Sequence, residues 1–287
     1  MQVAMKRDVI RRKAIEPKSH VDETDVRDSG VQSVDRALSI IETLAEDDGG
    51  YRLSDLAIRT GLSTSTVHRL LGTLENRRFV QFDRTESKWH VGARCFTVGA
   101  TFARRRNFSA QAVPYLRKLR DLTRETANLA VVDDEFIVVL TRMESREIMR
   151  SLTKVGGRVA MVASGVGKAV LATYSNEDVS AIIHHHGMPR LTEKSIVRPS
   201  DLFKELEKIR RQGFALDDEE ACMGLRCIAA VVYNDCAEPL AAISVSGMTS
   251  RLTDERLPML GQTVRDVAAE LTGALGGVMP EAKPASN

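Results

Sequence analysis

The sequence predicts an α+β fold in two parts: a small helical unit closed by a β-hairpin, then a larger domain of antiparallel strands and helices. Three observations carry this. Residues 53–74 hold two helical patterns joined by a glycine turn, and strand alternation replaces helical periodicity from Asn128 onward. At 287 residues, the chain also exceeds the usual size of one hydrophobic core.

Residues 1–30 carry mixed charge and no hydrophobic stretch, which reads as a disordered tail and not a secretory signal. A helix is predicted over residues 33–46, with Val34, Ala37, Leu38, Ile41 and Ala45 on its buried face and Asp47-Asp48-Gly49-Gly50 as its stop. Ser54 is placed to cap the next short helix, with Leu53 and Ile58 as a hydrophobic staple. Gly61 stands where a left-handed residue ends that helix. Ser63 caps a third helix whose Val67, Leu70, Leu71 and Leu74 recur at i, i+3, i+4 and i+7, one buried stripe. Its opposite face carries Thr64, Ser65, His68, Arg69 and Thr73. Residues 79–82, a polar turn over 83–88 and residues 89–91 predict a hairpin. Three helices and a hairpin make a winged helix, whose second motif helix enters the major groove. The plainer alternative is a helical hairpin with a solvated face.

Charge favours the first reading. The chain's formal net charge is +2, yet residues 52–106 hold eleven Lys/Arg against four Asp/Glu, a local +7 that leaves about −5 elsewhere. A basic segment on a nearly neutral chain fits a polyanion such as double-stranded DNA. Ser63, Thr64, Ser65, Thr66, His68 and Arg69 are the candidate groove residues, and Arg36, Arg77, Arg84 and Lys88 the candidate phosphate contacts.

A helix follows over residues 93–106, with Phe96, Val98, Gly99, Ala100 and Ala103 forming a face another helix can approach closely. Arg104-Arg105-Arg106 closes it, either solvated or against phosphate. A second helix over 110–126, with Val113, Leu116, Leu119 and Leu122 inward, completes a linker. Strands are predicted on both sides of the Asp133-Asp134-Glu135 turn and within 151–161, and short helices over 165–174, 176–185 and 200–212. Two longer strands over 225–233 and 240–246 and a closing helix over 253–276 finish the domain, with Leu257, Leu260, Val264, Val267 and Leu271 inward.

Ser164-Gly165-Val166-Gly167-Lys168 has the look of a phosphate loop. That motif requires Gly where Val162 stands and Ser/Thr where Ala169 stands. What survives is a helix capped by Ser164 whose first N–H groups, on Gly165, Val166 and Gly167, are open to a small anion, or simply a capped helix. Ser244 and Ser246 share one strand face, and Cys227 can point into the same space, after the acidic run 217–220. Cys222, Cys227 and Cys236 are spaced unlike a structural zinc site, His184-His185-His186 closes a helix, and nothing places a base beside a cysteine nucleophile. A metal sensor or a cysteine-dependent enzyme is therefore the lesser reading, and no metal or cofactor is expected. Four cysteines without an export signal, and no apolar run long enough to span a bilayer, point to reduced thiols in the cytoplasm and no membrane partner.

Through VQSVDRALSIIETL, LSDLAIRTGLSTSTVHRLLGTLENRRFV, KWHVGARCFTVGA, ASGVGKAVLA, LDDEEACMGLRCIAAVVYND and PLAAISVSGMTSRLTDERL, the sequence resembles the IclR family of bacterial transcriptional regulators over about residues 31–277. The resemblance implies a winged helix-turn-helix domain (31–92), a linker helix used in dimerisation (93–108) and a GAF/PAS-like α+β effector-binding domain (109–279), with residues 280–287 a tail. It also implies a repressor binding pseudo-palindromic operators as a homodimer or homotetramer. Within the family, WHVG with FTVGA, DDEE with GLxCIA, and AAISxSG with SRLTDER are similar to the glyoxylate-responsive allantoin-utilisation repressor group. Carried over position by position, the contacts to a small carboxylate would be the helix start at Ser164, Gly165 and Val166, then Leu225, Cys227, Ser244 and Ser246, with Asp217 nearby. Val166 replaces a smaller residue, and Arg226 a neutral amide, which puts the strand's outer face or the anion preference in question. Glyoxylate is the expected effector; another small or aromatic carboxylic acid is the alternative.

Overall fold

The computed structural model describes residues 31–105, 108–133, 136–145 and 154–280, with the side chains of 102–105 outside the description. They fall into two compact units, divided between Ala100 and Thr101. The expected N-terminal tail, the arginine run 104–106, the turn residues Asp134 and Glu135, and residues 281–287 lie outside what is described.

In the first unit, α1 (Gln32–Ala45), α2 (Leu53–Thr60) and α3 (Thr64–Asn76) are followed by β1 (Val80–Asp83), β2 (Lys88–Val91) and the start of α4 (Ala93–Arg105). The strands pair antiparallel, Val80 opposite Val91 and Asp83 opposite Lys88, and Tyr51 bridges to Trp89. Ile40, Leu44, Leu56, Val67, Leu71, Leu74, Val80 and Trp89 form the core. Gly61 takes φ 67°, and the Ser63 hydroxyl accepts from the Thr66 amide at 3.3 Å.

Three local expectations are corrected. The face of α1 packed against α2 and α3 holds Ile40 and Leu44 with the expected Ala37 and Ile41 beside them, whereas Val34, Leu38 and Ala45 are exposed. α2 begins at Leu53, two residues early, so Ser54 lies inside its first turn. The N-cap position is Arg52, whose amide donates to the carboxylate of Asp55, three residues on, at 3.4 Å. Ile58 is 80% exposed and forms no staple.

The second unit is built on a six-stranded antiparallel sheet, ordered β5-β4-β3-β8-β7-β6. Its strands are β3 (Thr126–Asp133), β4 (Phe136–Met143), β5 (Arg158–Ala160), β6 (Ala215–Asp218), β7 (Leu225–Tyr233) and β8 (Pro239–Met248). Helices α5 (Phe108–Thr123) and α9 (Leu257–Ala274) cover one face; α6 (Gly165–Leu171), α7 (Asn176–His186) and α8 (Pro199–Gln212) serve the other. Period-two alternation sorts the side chains between two cores. Leu129, Val131, Ile228, Ala230, Ile243 and Val245 meet α5 and α9, whereas Ala130, Ala229, Val231 and Ala242 meet α6.

Here too the expectations shift. α5 is not a linker but half of the layer beneath the sheet, burying Phe108, Ala112, Leu116 and Leu119 and leaving Leu122 exposed. β6 had no strand signature, because its four residues, ALDD, give a single alternation before the charges begin.

Candidate functional site

Strand register brings distant polar residues into two adjacent rows on the α6 side of the sheet. Thr126 pairs with Ser246, Ser246 with Cys227 and Cys227 with Asp217; one row along, Asn128 pairs with Ser244 and Ser244 with Ala229. Above these rows lies a cavity of about 110 Å³. Asn128, Ser164, Asp217, Cys227, Ser244 and Ser246 supply its polar lining, and Ala130, Ile137, Val139, Val159, Val166 and Leu225 its apolar lining. Of the expected site residues, Ser164, Val166, Asp217, Leu225, Cys227, Ser244 and Ser246 thus meet at one cavity.

Gly165 has a different task. A Cβ there would stand 2.8 Å from the Cys227 carbonyl oxygen, and one on Gly167 would stand 2.0 Å from that of Met161. Both glycines are needed for close backbone approach. Of the three amides expected to be open, that of Gly167 is taken: it donates to the Ser164 hydroxyl at 3.0 Å, as an N-cap requires.

Lys168, on α6, escaped the sequence reading as a site group. Lys168 is fully buried; its ammonium pairs with Glu220 and donates to the Leu216 carbonyl at 2.6 Å. Asp217, also buried, accepts from the amides of Glu220 and Ala221 at 2.8 and 3.3 Å. Burial, then the Glu220 carboxylate, push the Asp217 carboxyl up to about 6 against the pull of Lys168. Burial, then Asp217, push the Cys227 thiol up to about 11, so the cavity presents a neutral thiol at neutral pH. Asn128 was also missed; its Nδ2 donates to Ser244 Oγ at 3.5 Å and Ser246 Oγ at 3.4 Å.

Because the folded Asp217 holds its proton above the ordinary value of 3.8, its stability contribution is complete in acid and is lost as pH rises through about 6. Asp217→Asn keeps both amide contacts and removes the ionisation. It should raise stability by on the order of 2–3 kcal/mol at pH 8, a gain that fades below about pH 4. Urea titrations at both pH values check this, and equal gains at the two would refute it.

Arg226 does not disturb the cavity. Strand parity turns it to the opposite face, where Asp218 and Asp254 hold its guanidinium, each at 2.6 Å. His184, His185 and His186 end α7, away from the lining thiols Cys222 and Cys227, and Cys236 is exposed.

In the first unit, Ser63, Thr64, Ser65, His68 and Arg69 are exposed along one side of α3, with Thr66 half-buried. Arg77 and Arg84 are exposed and Arg36 is half-buried. Lys88 is engaged within the unit, donating to the Gly49 carbonyl at 3.1 Å and pairing with Glu86 at 3.2 Å.

The IclR helix-turn-helix domain model matches residues 33–84, and the bacterial transcriptional regulator IclR C-terminal model matches residues 100–272. The chain is 41% identical to the acetate operon repressor of Salmonella typhimurium over 249 residues, 86% of this chain and 91% of that protein. It is 36% identical to the HTH-type transcriptional repressor AllR of Escherichia coli over 251 residues, 88% of this chain and 93% of that one. In fold it is similar to an IclR transcriptional regulator from Alicyclobacillus acidocaldarius, with a TM-score of 0.73 at 23% identity, covering 86% of this chain and all of that structure.

Proposed function

The chain belongs to the IclR family of bacterial transcriptional regulators, and on that premise we propose that it is a repressor that releases or engages its operator in response to glyoxylate. The relatives it is similar to are named as repressors. No helix among the described residues is long and apolar enough to cross a membrane.

The size and lining of the cavity carry the effector reading. Pockets for drug-sized ligands run to about 300–1,000 Å³, whereas this one is about 110 Å³. A two-carbon oxoacid suits that volume better than an aromatic acid does. Its carboxylate and carbonyl need short donors, and Asn128, Cys227, Ser244 and Ser246 are such groups on one wall. The similarity of the C-terminal motifs to the glyoxylate-responsive group supports the same ligand. Titration calorimetry should give saturable glyoxylate binding, and tighter binding of an aromatic acid such as 4-hydroxybenzoate would overturn the assignment.

In the DNA-binding half, α3 offers Thr64, Ser65, His68 and Arg69 to base edges, with Arg36, Arg77 and Arg84 toward phosphate. Operators of this kind are read by paired winged helices, so a dimer or tetramer in the cytoplasm is the working form. Arg69→Ala should weaken operator binding by about 1–3 kcal/mol, the worth of one side-chain contact to a base. Glyoxylate affinity should stay unchanged. Equal operator affinity for variant and parent, in a gel-shift titration, would remove Arg69 from the interface.

A further inference from the structure

We propose that Asn128 sets the hydrogen-bond polarity of the effector pocket: its amide donates to both Ser244 and Ser246, which leaves both serine hydroxyl hydrogens to the ligand. This rests on the pocket reading given under Proposed function and names a residue that reading does not require.

Selection of an anion needs positive charge or aimed donors. Among the described residues, Arg226 is the one cation lining the cavity, and its guanidinium is held by Asp218 and Asp254 on the other face. Lys168, below the cavity on α6, is committed to Glu220 and to the Leu216 carbonyl. Arg142, across the ladder from Asn128 on β4, pairs with Glu144 at 3.8 Å and does not line the cavity. The other titratable wall groups are Asp217 on β6, which repels an anion when ionised, and the thiols of Cys222 and Cys227. Among the described residues, affinity for a carboxylate therefore falls to neutral donors, and their direction decides the outcome.

A serine hydroxyl has one hydrogen and two lone pairs. Left alone, two serines facing a cavity present hydrogen or lone pair with equal ease. The Asn128 side chain is buried, and register places it opposite Ser244 and diagonal to Ser246. Its Nδ2 lies 3.5 Å from one hydroxyl oxygen and 3.4 Å from the other. With a lone pair on each oxygen so engaged, the hydroxyl hydrogens are left for the cavity side, where the Cys227 sulfur is a weak acceptor and an incoming carboxylate the stronger one.

The test is calorimetry of the full-length chain with glyoxylate at pH 8, folding being checked by circular dichroism and melting temperature. Asn128→Leu should weaken binding about threefold to tenfold, the scale of a neutral hydrogen bond. Asn128→Asp should weaken it by about a hundredfold or more, since the new carboxylate captures both hydroxyl hydrogens and adds like charge. At pH 5 the ratio of variant to parent should narrow as the introduced carboxyl protonates and donates again. Parent and variant share Asp217, so its titration cancels from that ratio. In a Ser246→Ala background, the loss on Asn128→Leu should shrink, because one of its two acceptors is gone. Glyoxylate binding by Asn128→Asp equal to the parent's would overturn the proposal, since the serines would then already donate to residue 128. So would an Asn128→Leu loss of the same size in both backgrounds, which is the mark of a purely structural residue. If Asn128→Asp fails to fold, the Asn128→Leu cycle decides alone. A parent that binds none of acetate, glycolate, glyoxylate or pyruvate instead sinks the pocket reading itself, and this proposal with it.

Discussion

Lys168→Met is expected to lower the unfolding free energy by about 3–5 kcal/mol near pH 8, the usual result of removing one partner from a buried ion pair. Lys168 is the one ammonium among two buried carboxylates, pairing with Glu220 and pulling against the raised pKa of Asp217. Glu220 is itself pushed above the usual carboxylate range, first by burial, with Lys168 holding it down. Without the ammonium, both carboxyls rise further. A folded pKa above the unfolded one makes stability fall as pH rises through it, so the loss is greatest in alkaline solution. It should narrow toward pH 4, where both carboxyls are neutral in either protein. Urea denaturation at the two pH values measures it. A loss below about 1 kcal/mol at pH 8, or one independent of pH, would show that the pair bears little on stability.

The second large effect concerns the ligand. Ser244→Ala combined with Ser246→Ala should weaken glyoxylate binding by about two orders of magnitude or more, because each hydrogen bond to a charged group is worth about 1.5–3 kcal/mol. The two hydroxyls lie in adjacent rows on the face toward α6 and line the cavity. Their loss also frees the Asn128 amide to turn its oxygen toward the anion, which adds to the penalty. The fold should survive, since Ile243 and Val245 on the opposite parity, in contact with α5 and α9, are untouched. Calorimetry reads the affinity, and undiminished binding would place the effector elsewhere.

How legible this was in the sequence depended on whether the signal was local. The α3 stripe of Val67, Leu71 and Leu74, the Gly61 turn and the Ser63 cap are set within one turn of chain, and each is where periodicity puts it. On α1 apolar residues lie on more than one side, and only the packing of α2 and α3 fixes the centre of the buried face at Ile40 and Leu44, keeping Ala37 and Ile41 but exposing Val34 and Leu38. Ser244, Ser246 and Cys227 were legible as members of one strand face apiece. That they adjoin Asn128 and Asp217 is a matter of register across four strands, which no single segment states. Lys168 was hidden for a similar reason. Every residue of α6 is buried, so no polar face sets the lysine apart, and its partner Glu220 lies fifty-two residues on. The glycines beside it mimicked a phosphate cradle, whereas steric approach to Cys227 and Met161 is what demands them.

A cavity on the α6 side of the sheet that converts a small carboxylate into a change of operator binding can be tested on operator affinity itself. Operator affinity of the parent and of the Ser244→Ala plus Ser246→Ala variant is titrated with and without saturating glyoxylate. The two proteins should bind equally in the absence of glyoxylate, the parent should shift on adding it, and the variant should not. A shift of equal size in both proteins would rule this cavity out as the sensor.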